Sequence, residues 1–267
     1  MTPEQDQYHE ITTRFADQVV EALEQGDKEK ALSLIPALTR EDRNMERLLA
    51  QVISQFLVPF LEERFIADQK KTGEEIRQAI ASGETEKAIE LTRAKTERWL
   101  RLHDTYIDFM GDTFGWINDN LGQQALFDMY RRWGDGTKDW FVKRSTVPRQ
   151  EIMELGAIMW REHIGKTRVE VQDGRSLFYL EPCGSGGRRL ERIRDEQAGR
   201  EGIPVRMKEP FPLTVGERKD VPTYCTHCPY LFEVLSREWT GAPVWVVNPP
   251  QKVGDPCIIE VRDDKKY

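Results

Sequence analysis

Apolar residues recur at helical spacing through the first 160 or so residues of this chain and then stop, so the sequence itself separates two kinds of structure. Phe15, Val19, Val20 and Leu23 share one helical face, as do Leu48, Leu49, Val52, Ile53, Phe56 and Leu57. Further helices are predicted over about 86–120, 121–134 and 149–162, the last introduced by Thr146-Val147-Pro148. The pattern then changes. Arg168 to Gln172 and Ser176 to Leu180 flank Asp173-Gly174, a strong signal for a β-hairpin. Pro229 to Trp239 reads as a helix ending at Gly241, and Val244 to Val247 and Cys257 to Val261 read as strands. A charged connection, about Arg188 to Val221, reads as mostly loop. The expected fold is α+β: an N-terminal helical bundle, residues 1–165, packed on a small antiparallel sheet within 166–267.

A weak internal duplication runs through the helical part. Ala22 to Leu32 recurs 57 positions later as Ala79 to Ile89, each copy reading as helix, glycine turn, helix. Two copies do not make a solenoid, so the expectation is two similar helical hairpins.

With 39% hydrophobic residues and seven Trp, the chain can build a real core. Its net charge of -7 gives no global positive field to hold nucleic acid or an anionic membrane, so neither is an expected partner. Met1 to Glu10 is polar and acidic, and no apolar run reaches the roughly 18 residues of a membrane span. A cytoplasmic protein is expected. In that reducing setting cysteine pairs more often bind metal or do chemistry than form disulfides.

All four cysteines, Cys183, Cys225, Cys228 and Cys257, lie in the last third, two of them in Tyr224-Cys225-Thr226-His227-Cys228-Pro229. A Cys-x-x-Cys turn lets two sulfurs reach one ion, and two more cysteines lie on flanking segments. The same spacing suits a reactive or redox thiol at a helix start, and buried cysteines also simply pack. On the metal reading, Cys183, Cys225, Cys228 and Cys257 are the ligands, with zinc the expected ion and iron the alternative.

Two other constellations are candidates. Cys183-Gly184-Ser185-Gly186-Gly187-Arg188-Arg189 exposes backbone N–H groups beside two arginines, so Gly184, Ser185 and Arg188 could cradle an anion. It lacks the Lys-Ser/Thr ending of a P-loop, and a tight turn after a strand is the plain alternative. In Leu102 to Phe109, Asp104 and Asp108 stand one helical turn apart and His103 shares a face with Ile107. These residues are candidate lining for a substrate pocket, or else solvated acids beside a satisfied histidine. Trp116, Phe127, Tyr130, Trp133, Trp140 and Trp160 favour core packing over a ligand cage. His9 and His163 show no evident partner and receive no role.

The order of elements over residues 100–262, ending in Gly254-Asp255-Pro256-Cys257-Ile258-Ile259-Glu260, resembles the 4-vinyl reductase domain and the 2-amino-thiazoline-4-carboxylate hydrolase-like proteins. The resemblance implies an apolar ligand pocket beside a cysteine-rich zinc site, with Cys257 and one of Cys225 or Cys228 on the metal. Pro249-Pro250 stands where those sensor modules carry a further acidic residue and cysteine, and Cys183 is the substitute ligand.

Three functions follow as expectations. The first is a zinc-thiolate hydrolase for a small organic acid, amide or heterocycle, with His227 moving a proton and Arg188 or the glycine-rich turn holding an anion. The second is a non-catalytic, sensor-like binding module with a closed structural zinc. The third is a metal-free cysteine hydrolase, with Cys183 as nucleophile and His227 as base.

Overall fold

Helical periodicity produces helices almost throughout the first part of the chain. The computed structural model describes residues 13–163, 165–196, 211–213, 216–218, 221–250 and 252–264. The acidic Met1 to Glu10 segment with His9, and most of the charged connection before Val221, lie outside them. The chain divides into two compact units, Met1–Lys95 and Thr96–Tyr267.

In the first unit, helices α1 (Phe15–Glu24) and α2 (Lys28–Gln51) form a hairpin, and a π-helical turn (Val52–Leu57) leads into α3 (Val58–Ala81). The duplicated sequence makes the same turn twice. Gly26 and Gly83 adopt φ of 78° and 75°, a left-handed conformation natural to glycine. The next residue's N–H returns to the helix in each copy, Asp27 to the Ala22 carbonyl and Glu84 to the Ala79 carbonyl, both at 2.8 Å. Ala22 and Ala31, and at the matching positions Ala79 and Ala88, are the buried small residues that let each turn close. Val19, Ala22 and Ala31 form a small core with Leu34 and Leu38.

Helix α4 (Thr85–Leu121) contains the division and opens the second unit. It is followed by α5 (Gln123–Gly136), α6 (Lys138–Ser145), α7 (Arg149–Glu162), strands β1 (Thr167–Gln172) and β2 (Arg175–Leu180), and α8 (Gly186–Glu196). A separate two-stranded ribbon pairs β3 (Phe211–Leu213) with β4 (Gly216–Arg218). A continuous helical stretch then changes its pitch three times: 3-10 at Thr223–Thr226, α9 at His227–Pro229, π at Tyr230–Leu235 and α10 at Ser236–Thr240. Gly241, at φ 79°, ends it as its sequence position suggests. Strands β5 (Val246–Asn248) and β6 (Cys257–Arg262) complete an antiparallel sheet of order β1-β2-β6-β5.

The sheet reads alternately inward and outward, as its period of two requires. Cys257, Ile259 and Val261 of β6 are buried while their neighbours are partly exposed. Phe178 pairs with Ile259, which pairs with Val247, and this row meets Leu126, Tyr130, Phe141, Ile152 and Trp160 in one core. The sequence pattern changes near residue 165, but the compact units part at Lys95/Thr96. The physical reason is that α4 to α7 share this core with the strands. The α+β class is as expected, and within the second unit helices do cover an antiparallel sheet.

Candidate functional site

The largely apolar faces of α4 to α7 meet the sheet and the 223–240 helical stretch around a cavity of about 460 Å³. Ile107, Met110, Trp133, Trp140, Met159 and Phe232 supply apolar wall. Trp133, Trp140 and Trp160 therefore face a cavity, whereas Phe127 and Tyr130 are core and Trp116 is exposed. The polar wall is formed by Cys183, Ser185, Tyr224, Cys225, His227, Cys228 and Cys257, with His163 beside them. All four cysteines thus line one space.

The Thr223–Thr226 turn that presents the Cys-x-x-Cys segment is pinned from α5. The Tyr130 hydroxyl lies 2.9 Å from Thr226 Oγ1 and donates to the Thr223 carbonyl at 3.3 Å, while Thr226 Oγ1 donates to that same carbonyl at 2.7 Å. Gly186, the first residue of α8, closes the other side. A Cβ there would lie 2.7 Å from Cys225 Sγ, so only glycine admits the sulfur this closely.

This scaffold fixes the imidazole of His227. Its ring stacks on Trp133, with centroids 5.5 Å apart, and meets Tyr224 edge-on at 4.8 Å. Nδ1 donates to the Tyr224 carbonyl, so in the neutral ring Nε2 is left as the acceptor, and Cys228 Sγ lies 3.2 Å from it. Burial pulls the His227 pKa down to about 4; the Tyr224 carbonyl opposes that and His163 adds to it. Burial, then the neighbouring Cys183 and Cys225, pushes the Cys228 thiol well up. The pair therefore rests at neutral pH as thiol and free base.

A second polar chain reaches the cavity from α4. Asp104 Oδ1 lies 3.1 Å from His103 Nδ1, His103 Nε2 3.4 Å from His163 Nδ1, and that nitrogen 3.2 Å from Ser185 Oγ. Burial, followed by the charge of His103, lowers the His163 pKa against a smaller upward pull from Glu162.

The remaining expected binding residues sit elsewhere. Asp104, Asp108 and Asp112, one turn apart on α4, are met by Arg188, Arg189 and Arg192 of α8. Arg188 reaches Asp104 at 2.8 Å, and Arg189 spans Asp108 and Asp112 at 2.8 and 2.7 Å. Three cations answer three anions, and none of the six lines the cavity. His103 is likewise behind the wall, 5% exposed. Gly184 packs against the backbone of His163 and Gly165, where a Cβ would collide with the His163 carbonyl. The anion cradle expected from Gly184 and Arg188 is replaced by an ion-pair ladder, because α8 begins at Gly186 and carries its arginines onto the α4 acids. Ser185 alone of that set reaches the cavity.

Among the described residues, no group of three or more His, Cys, Asp or Glu side chains is arranged to hold a metal ion. The expected metal centre of Cys183, Cys225, Cys228 and Cys257 therefore finds no support in these side-chain positions, although all four cysteines line the same cavity. Here Cys228 faces the His227 ring, and both nitrogens of that ring are engaged. No helix among the described residues is long and apolar enough to cross a membrane.

His163 is the residue sequence reasoning missed. Its partners lie 60 and 22 positions away, so no local pattern marks it. Comparison of the chain with family models, with curated proteins and with solved structures yields no match in any of the three.

Proposed function

We propose that the cavity is the active site of a cysteine-dependent hydrolase for a small, uncharged carbonyl or C=N compound, such as an amide, ester or heterocycle. The observation that carries this reading is the His227–Cys228 pair: a ring nitrogen with its lone pair 3.2 Å from a thiol, both on the wall of a cavity. In the reaction, Cys228 Sγ attacks the electrophilic carbon while its proton passes to His227 Nε2. The leaving group departs with that proton, and a covalent intermediate remains on sulfur. The nucleophile differs from the expected Cys183 because the sulfur facing the base is that of Cys228.

The lining supports an uncharged substrate. None of the described residues around the cavity is Asp, Glu, Lys or Arg, so a carboxylate would find no countercharge there. The tryptophans favour a flat or apolar body, with its reactive end toward the thiols.

The test uses p-nitrophenyl acetate as the acyl donor, with rapid-mixing absorbance and peptide mass mapping. The expected result is a burst of about one nitrophenolate per chain, with acetyl on Cys228, absent in Cys228→Ser. No burst in the unmodified protein, or an equal burst in Cys228→Ser, rejects the reading. A non-catalytic ligand-binding module would then be favoured by the apolar walls, with ligand affinity unchanged in Cys228→Ser.

A further inference from the structure

A thiol nucleophile completes only half of a hydrolysis; water must then be activated against the intermediate, and the cavity carries a second histidine. We propose that His163 is that second acid–base group, accepting the proton of the attacking water at Nε2 while His103 and Asp104 position it. The proposal deepens the assignment of Cys228 as nucleophile and rests on it.

The tautomers follow from the contacts. The Asp104 carboxylate accepts from His103 Nδ1–H, which leaves His103 Nε2 as an acceptor. The hydrogen that fills the 3.4 Å gap to His163 is then the one on His163 Nδ1, with Ser185 Oγ at 3.2 Å sharing it. The lone pair of His163 accordingly lies on Nε2, which has no protein hydrogen-bond partner among the described residues. His163 lines the cavity, and its charge is felt at His227, so the two imidazoles serve the same space.

Asp104 is itself held by Arg188 and Arg192, so its carboxylate is fixed in place to accept from His103 Nδ1 and set the tautomer of that ring. A further group awaits a partner beside this dyad. The Trp160 ring lines the cavity 6.5 Å from that of His163, Trp160 is only 6% exposed, and its buried indole N–H has no hydrogen-bond partner among the described residues.

The step balances. Water oxygen bonds to the acyl carbon and one water proton goes to His163 Nε2. The carbon–sulfur bond breaks and the thiolate recovers a proton from His163, releasing the acid and restoring both neutral groups.

The experiment follows acetylation and deacetylation of Cys228 with p-nitrophenyl acetate. His163→Asn keeps an amide nitrogen near the position of Nδ1 but removes the base. Its burst should match the unmodified protein, while the steady rate falls about 100-fold or more and the acetyl-protein accumulates by intact mass. A retained burst also shows that the cavity has folded. His103→Gln, one ring further from the cavity, serves should His163→Asn fail to fold; its burst should be unchanged and its deacetylation several-fold slower. Deacetylation at the unmodified rate in the folded variant overturns the role of His163. Loss of the burst in Cys228→Ser alongside normal deacetylation in His163→Asn would leave the nucleophile standing and remove only the second base.

Discussion

The second unit holds two polar constellations, and they are built on opposite principles. In the ladder between α4 and α8, three arginines and three aspartates neutralise one another, and none of the six lines the cavity. The cavity wall, by contrast, has no Asp, Glu, Lys or Arg among its described residues, and two of its polar groups, His227 Nε2 and Cys228 Sγ, face each other. Formal charge here joins helices, while neutral, desolvated groups keep their valence for a ligand. This is why a glycine-rich turn with two arginines, which reads as an anion cradle, becomes a structural joint.

The largest effect should separate the two regions outright. His227→Asn should slow alkylation of Cys228 by iodoacetamide about 100-fold, measured by mass spectrometry, because the base that takes the thiol proton is gone. Unchanged alkylation would make the wall as inert as the ladder.

Next comes the ladder itself. Arg189→Ala loses two charge-assisted hydrogen bonds and should cost about 1.5 kcal/mol in urea denaturation, with the p-nitrophenyl acetate burst unaltered. Arg189→Lys should recover little of this, since an ammonium cannot span Asp108 and Asp112 as the guanidinium fork does. A changed burst in either variant would join the two regions functionally.

A subtler contrast lies in acid stability. Burial raises the Asp104 pKa, but hydrogen bonds from Arg188 and His103 and the charges of Arg192 and Arg188 together bring it below 3.8. The stability from this shift is therefore present above pH 3.8 and is lost as the pH falls toward the lower folded-state value. Asp104→Asn should flatten the acid limb of a melting-temperature profile between about pH 4 and 2; an unchanged limb would remove Asp104 from the acid response. The smallest effect is expected from metal removal. Dialysis against a chelator should leave the melting midpoint within about one degree, whereas loss of a structural zinc would cost folding energy directly.

Much of the fold can be read locally. Asp173-Gly174 specifies the β1–β2 hairpin, with Val169 opposite Phe178, and Gly241 stops α10, because each signal acts within a few residues. Helix α6 carries no such signal, its eight residues being too few to show a period. The site is partly legible: the clustered cysteines do line one cavity, and Ser185 reaches it. What stays hidden is orientation. Nothing in Thr226-His227-Cys228 reveals that the Tyr224 carbonyl holds Nδ1 and turns Nε2 toward the neighbouring sulfur. The ladder is a different case, because Asp104, Asp108 and Asp112 on one side and Arg188, Arg189 and Arg192 on the other are a complementary charge pattern that the sequence itself displays.

The repeated glycine turn has a kinetic consequence. Each copy closes through contacts only a few residues apart, Asp27 to Ala22 and Glu84 to Ala79, and the helices they join meet at short chain separation. The cavity instead requires β2 to find β6, with Leu180 opposite Cys257, across α8 and the whole 223–240 stretch. Local closures precede distant ones because less chain entropy must be surrendered first. A nascent or refolding chain should therefore acquire its helical turns early and bring its thiols beside their histidines last, so that all four cysteines spend the folding interval more exposed than in the finished protein, where Cys225 and Cys257 are buried and Cys183 and Cys228 half-buried.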